Sequence, residues 1–197
     1  MVLKADFFNT DAISLAKKLL GKIIVREIND NIIKCMIVET EAYVGPKDKA
    51  CHAFNNKRTK RTEVMFWDSG FSYVYLIYGM YYCFNIVASD KEKPEAVLIR
   101  AVEPIEGVDL IKENRKIKSN KIKDLTNGPG KLCQALSIDK TFNGFNLTKG
   151  DKLYLENGDK INETKIESSP RINIDYAEEY IDKKWRFFIK NNNFLSK

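Results

Sequence analysis

At 197 residues the chain has room for one domain with a substantial core and too little for two. Hydrophobic residues make up 44% and charged residues 30%, and no apolar run approaches the roughly 20 residues of a membrane-spanning helix. A net charge of +6 permits a polyanionic partner without requiring one.

The N-terminus, Met1-Val2-Leu3-Lys4-Ala5-Asp6, holds too short an apolar stretch for a signal peptide, which points to the cytoplasm, nucleoid-associated in a bacterium. Thr10-Asp11 offers an N-cap, and Ile13, Leu15, Ala16, Leu19 and Leu20 recur at helical spacing. Gly21 then supplies a stop, so residues 11–20 are read as a helix. Lys22 to Glu27 and Asn31 to Tyr43 are strand-like and flank the turn signal Asn29-Asp30, which predicts a hairpin ended by Gly45-Pro46. Residues 47–70 read as loop and short helix, with Lys57, Arg58, Lys60 and Arg61 close together. From Phe71 to Val87, aromatic and β-branched residues surround Tyr78-Gly79 and predict two strands about a tight turn.

A further strand runs from Ala96 to Val102 and ends at Glu103-Pro104, and residues 107–116 suit a helix. Arg115 to Lys123 carries five basic residues in nine positions, so residues 113–126 are read as a mobile basic loop. Asn127-Gly128-Pro129-Gly130 opens another helix, Pro129 being suited to the first turn. Strands around 152–156 and 162–167 follow, and residues 191–197 form a polar tail. Without internal repeats or β-α-β alternation, the expected class is α+β: one domain over residues 1–197, mostly antiparallel sheet with surrounding helices and a protruding hairpin.

Chemistry-bearing residues are few. Cys35, Cys51, Cys83 and Cys133 are widely spaced and expected as buried thiols. Cys51 adjoins His52, the only histidine, but the clustered partners of a zinc site are missing, so neither metal nor cofactor is expected. Glu39 and Glu41 stand two apart on a strand and so share a face: an acidic face open to solvent, or a carboxylate held as a general base. Tyr43 continues that side, and His52 can return to it across the Gly45-Pro46 turn, as a structural or as a functional residue. Tyr78 at a turn tip is poorly placed for burial and suits a wedge that holds a base step open in the minor groove.

At these residues the chain resembles the alkyladenine (3-methyladenine) DNA glycosylase family, the small single-domain type also found in vertebrates. The matching segments are Asp6-Phe7-Phe8, Leu19-Leu20-Gly21-Lys22, Val38-Glu39-Thr40-Glu41-Ala42-Tyr43, Ala50-Cys51-His52 and Thr59-Lys60-Arg61. They continue through Tyr73 to Tyr81 and Asn85, Leu98 to Pro104, Asn127 to Leu132, Arg171-Ile172 and Arg186-Phe187, in family order and over residues 6–190. The resemblance implies a monofunctional hydrolase of base-excision repair that flips alkylated or deaminated purines out of duplex DNA, acting as a monomer without metal or cofactor. It implies Glu41 as general base, Arg100 and the Ile172 carbonyl as organisers of the attacking water, and Tyr43, His52, Tyr75 and Asn85 as the base pocket. Tyr78 matches the intercalating residue, and Lys57, Arg58 and Arg61 are expected on the DNA backbone. Departures from the family pattern are Lys60 for a proline, Gly130 for a serine, and Asn173 and Asp175 for glycines; the last pair bears on the water-holding carbonyl of Ile172.

Overall fold

Local signals set the first third of the chain. After a single helical turn, α1 (Ala5–Phe8), the Asp11 carboxylate accepts the Ser14 N–H at 2.9 Å and caps α2 (Ala12–Leu19), which Gly21 follows at φ +81°. Asn29 and Asp30, at φ +46° and +65°, form the turn between β1 (Ile23–Ile28) and β2 (Asn31–Tyr43). The Tyr78-Gly79 turn likewise joins β3 (Ser72–Ile77) to β4 (Tyr81–Ala88). This computed structural model describes residues 1–117 and 121–196.

β5 (Glu95–Glu106) runs past its expected end because Pro104 sits opposite Cys35 at a bulge, where a missing N–H is tolerated. Then come α3 (Val108–Arg115) and α4 (Pro129–Ala135), with β6 (Leu153–Glu156). The strand expected at 162–167 starts later, as β7 (Ile166–Ser169), because the Asn162 side chain accepts the Thr164 N–H and caps a 3-10 turn first. β8 (Arg186–Ile189) forms ahead of the polar tail, in a segment where no strand was expected. Within the basic stretch 113–126, α3 reaches Arg115 and a 3-10 turn covers Ile122–Leu125; residues 118–120 lie outside the described residues.

The described strands form one antiparallel sheet in the order β3-β4-β5-β2-β1-β6. β2 is its spine: residues 31–36 pair with β1, residues 39–41 pair with β8 on the same edge, and β7 adds to β8. One face carries the main core, where Phe8, Leu15, Leu19, Ile37, Phe84, Ile86 and Ile99 are fully buried beneath α2 and α4. The α+β class with a mostly antiparallel sheet is as expected. Among the described residues, no helix is long and apolar enough to cross a membrane.

Candidate active site

Thr40 fixes which way its neighbours point. Its hydroxyl donates to the Ala16 carbonyl of α2 at 2.9 Å, so by strand alternation Glu39 and Glu41 face the opposite side of the sheet. Register then lines up a row across the sheet on that side: Tyr73 opposite Asn85, Asn85 opposite Leu98, Leu98 opposite Glu41, Glu41 opposite Arg186. Next to it, Tyr75 pairs with Cys83, and Tyr43 with Ala96. All of these but Glu41 and Arg186 floor a cavity of about 720 Å³ walled by Cys51 and His52, by the loop before α4, and by residues 172–174.

Both carboxylates are fully buried, which excludes the solvent-exposed acidic face. Glu41 Oε1 accepts the Ile172 N–H at 2.8 Å, while Oε2 accepts the Tyr43 hydroxyl at 3.0 Å and Arg100 Nη1 at 3.2 Å. Glu41 does not itself border the cavity, but all three of its donors do. Burial draws the Arg100 guanidinium toward deprotonation, yet Glu41 and Glu39 outweigh it and raise its pKa. Burial first, then Glu41, lifts the Tyr43 phenol well above its ordinary value, so it stays a hydrogen-bond donor. Glu39 is saturated by other groups: Arg186 Nε at 2.6 Å and the Ser196 hydroxyl at 2.8 Å on Oε1, and the Ser196 N–H at 2.6 Å on Oε2.

The cavity walls are aromatic. His52 meets Tyr75 edge-on at 4.7 Å between centroids, and its Nδ1 lies 3.0 Å from the Tyr73 hydroxyl. Burial, then Arg61 and Lys57, pushes the His52 pKa down to about 4, so the ring is neutral at physiological pH. Asn85 is almost fully buried and donates to the Tyr73 carbonyl at 3.0 Å. Cys51 and Cys83 also border the space as buried thiols, burial raising the pKa of each. Tyr43, His52, Tyr75, Asn85, Arg100 and Ile172 are thus brought together at one cavity, with Tyr78 at its rim.

The methylpurine-DNA glycosylase family profile matches residues 6–193. The chain belongs to that family. Family membership makes it a DNA glycosylase, a hydrolase of DNA repair. A Natranaerobius thermophilus protein provisionally named 3-methyladenine DNA glycosylase is 55% identical over 100% of this chain and 99% of its own length. Proteins with the same provisional name from Clostridium perfringens (strain SM101) and Desulfitobacterium hafniense are each 48% identical, covering 100% and 97% of this chain and 100% and 96% of their own.

Two of the departures from the family pattern have a local explanation. Asn173 stands at φ +58°, the left-handed conformation a glycine takes freely and asparagine tolerates, so the backbone after Ile172 accepts an asparagine there. At Gly130 an added Cβ would lie 3.0 Å from the Tyr81 Cβ, so the missing side chain lets the hairpin close onto α4.

The basic residues diverge. Lys57 is exposed, whereas Arg58 is held by Glu63 at 2.8 and 2.9 Å and by Glu92 at 2.6 Å. Arg61 lies over the Tyr75 ring, 4.8 Å from its centroid. Sequence reasoning missed Asp48 and Ser196, and gave Arg171 no role beyond its place in a matching segment. Asp48 and Arg171 form a buried bidentate pair at 2.6 and 2.8 Å, and Arg171 also donates to the Ala42 carbonyl at 3.0 Å. An aspartate and an arginine separated by 123 residues leave no local pattern to find.

Proposed function

We propose that this glycosylase receives a damaged purine, turned out of duplex DNA, in the aromatic cavity and hydrolyses its N-glycosidic bond with water, leaving an abasic site. The observation that carries the reading is Glu41, a buried carboxylate whose donors, Tyr43, Arg100 and the Ile172 N–H, all border an aromatic-walled cavity. Extruding a base costs a few kcal/mol, and stacking on Tyr43, His52 and Tyr75 returns about 1–3 kcal/mol per base. Tyr78, 73% exposed at the hairpin tip, is suited to fill the gap left in the duplex. Asn85 beside the stacking walls narrows the space open to a purine's exocyclic groups.

In this reading the water oxygen bonds to the sugar C1′ as the C1′–N bond breaks, and the water's proton passes to Glu41. Water reaches the carboxylate between Tyr43, Arg100 and Ile172, whose carbonyl helps to hold it. A cationic purine such as 3-methyladenine or 7-methylguanine leaves neutral as the bond electrons enter its ring. Hypoxanthine or ethenoadenine needs a proton as it departs. No lysine attacks the sugar, so no strand cleavage follows. Single-turnover release from hypoxanthine, ethenoadenine and methylated duplexes tests the assignment. Native protein releases base, and Glu41→Gln loses the release while still binding lesion DNA. A Glu41→Gln variant as fast as native protein would sink the role given to Glu41, and no release from any duplex by native protein would leave a damage-binding protein.

A further inference from the structure

We propose that Ser196 is a positioning residue for excision: it holds Arg100 and, through Arg100, the Glu41 carboxylate. The proposal rests on the glycosylase reading above. Ser196 belongs to a segment whose composition reads as a tail, yet it borders the cavity. Its backbone and hydroxyl clasp both oxygens of Glu39, at 2.6 and 2.8 Å, and its Oγ accepts Arg100 Nε at 3.2 Å. A hydroxyl has one hydrogen and two lone pairs, so donating to Glu39 leaves Oγ free to accept from Arg100.

The guanidinium is planar, so fixing its Nε end fixes the direction of its terminal nitrogens. Nε lies 3.2 Å from Ser196 and 3.3 Å from Glu39, and Nη1 thereby reaches Glu41 Oε2 at 3.2 Å. Without the Ser196 hydroxyl, Nε keeps only the longer contact to Glu39, which Arg186 already engages at 2.6 Å. The segment is well placed for this work. Phe194 and Leu195 pack on the core, the Phe194 N–H donates to Asn192 Oδ1 at 2.8 Å, and Asn192 Nδ2 donates to Glu103 at 2.7 Å. Glu39 does not border the cavity, and its place in the site is that of an anchor between Ser196, Arg186 and Arg100.

Single-turnover excision from a hypoxanthine duplex, measured over a range of enzyme concentrations, separates positioning from DNA binding. Ser196→Ala is expected to lower the saturating rate about tenfold and leave the half-saturating concentration within about twofold, the pattern of a misplaced group at the chemical step. Ser196→Thr keeps the hydroxyl and is expected to recover most of the rate, which a role in packing alone would not give. A second measurement needs no excision. The Arg100 Nε–H, assigned in ¹⁵N spectra by its absence in Arg100→Lys, is expected to exchange slowly with solvent in the native protein and about tenfold faster in Ser196→Ala. An alanine variant at the native rate, a loss confined to half-saturation, or unchanged Nε–H exchange each overturns the proposal. Native protein that releases no base from hypoxanthine, ethenoadenine or methylated duplexes would instead remove the glycosylase reading, and the exchange measurement would still decide whether Ser196 holds Arg100.

Discussion

Arg171 sits between the rings of Tyr43 and Trp185, 4.8 and 5.0 Å from their centroids, with both terminal nitrogens on Asp48. Neither side chain of the pair is exposed, and Asp48 also accepts the Val44 and Ala50 N–H groups at 3.1 and 3.0 Å. Asp48→Ala therefore strands a buried cation and two amides, for an expected loss of about 3–5 kcal/mol of unfolding free energy in urea titration. A loss under about 1 kcal/mol would mean that solvent reaches Arg171. The neighbouring residue Ile172 donates its N–H to Glu41, so excision should suffer along with stability. His52, the only histidine, offers a second test at this scale because its ring signals are unambiguous in NMR. With the pKa depressed to about 4 by burial, then by Arg61 and Lys57, the ring titrates far below the ordinary histidine value of 6.5. The sign follows: the folded state disfavours the charged ring, so this contribution to stability is full above pH 6.5 and is lost as pH falls through about 4. Arg61→Met removes one of the causes, and the His52 midpoint should rise. A native midpoint at the ordinary value would show that the ring is not enclosed.

The hairpin of β3 and β4 carries a conflict between stability and function that can be measured. Tyr78 adopts φ +53° and Gly79 φ +70°, and the Met80 N–H donates to the Ile77 carbonyl at 3.2 Å, which closes the turn. For a bulky residue the left-handed conformation costs about 1–2 kcal/mol, and an exposed ring returns little of that by packing. Tyr78→Gly should therefore unfold no more easily than the native protein while excising lesions from duplex DNA more slowly. Native-like excision by that variant would remove the wedge. This hairpin, the β1–β2 hairpin and α2 were legible in the sequence because their signals are local: Asn29-Asp30, Tyr78-Gly79, and Asp11 followed by a helical repeat. β8 was not, since polar neighbours hide a strand whose pairing with β2 is non-local. The surroundings of Glu39 were hidden for the same reason, as Arg186 and Ser196 stand 147 and 157 residues away along the chain. The resemblance named most of the cavity residues, but it could not show that Ser196 joins them.

Across the whole molecule, the charge of +6 sets up an attraction to duplex DNA, but a count of arginines and lysines overstates the contact. Arg58 illustrates the excess: its guanidinium is held by Glu63 and Glu92 and lies 4.7 Å from the Phe66 ring centroid, so reaching a phosphate would require breaking two ion pairs. Lys57, its neighbour, is exposed at the same loop. Each phosphate neutralised by a cation adds about −0.9 to the slope of log affinity against log salt. Lys57→Gln should therefore make the slope of binding to a lesion duplex shallower by about one unit, with a similar proportional loss on undamaged duplex. Arg58→Gln should leave the slope unchanged and release Glu63 and Glu92, an exposed pairing that contributes little to folding. Fluorescence anisotropy titrations between low and moderate salt decide between the two arginine roles. A slope that falls for Arg58→Gln as far as for Lys57→Gln would mean that DNA displaces the two glutamates, and the loop would then be an ion-pair latch opened by the duplex.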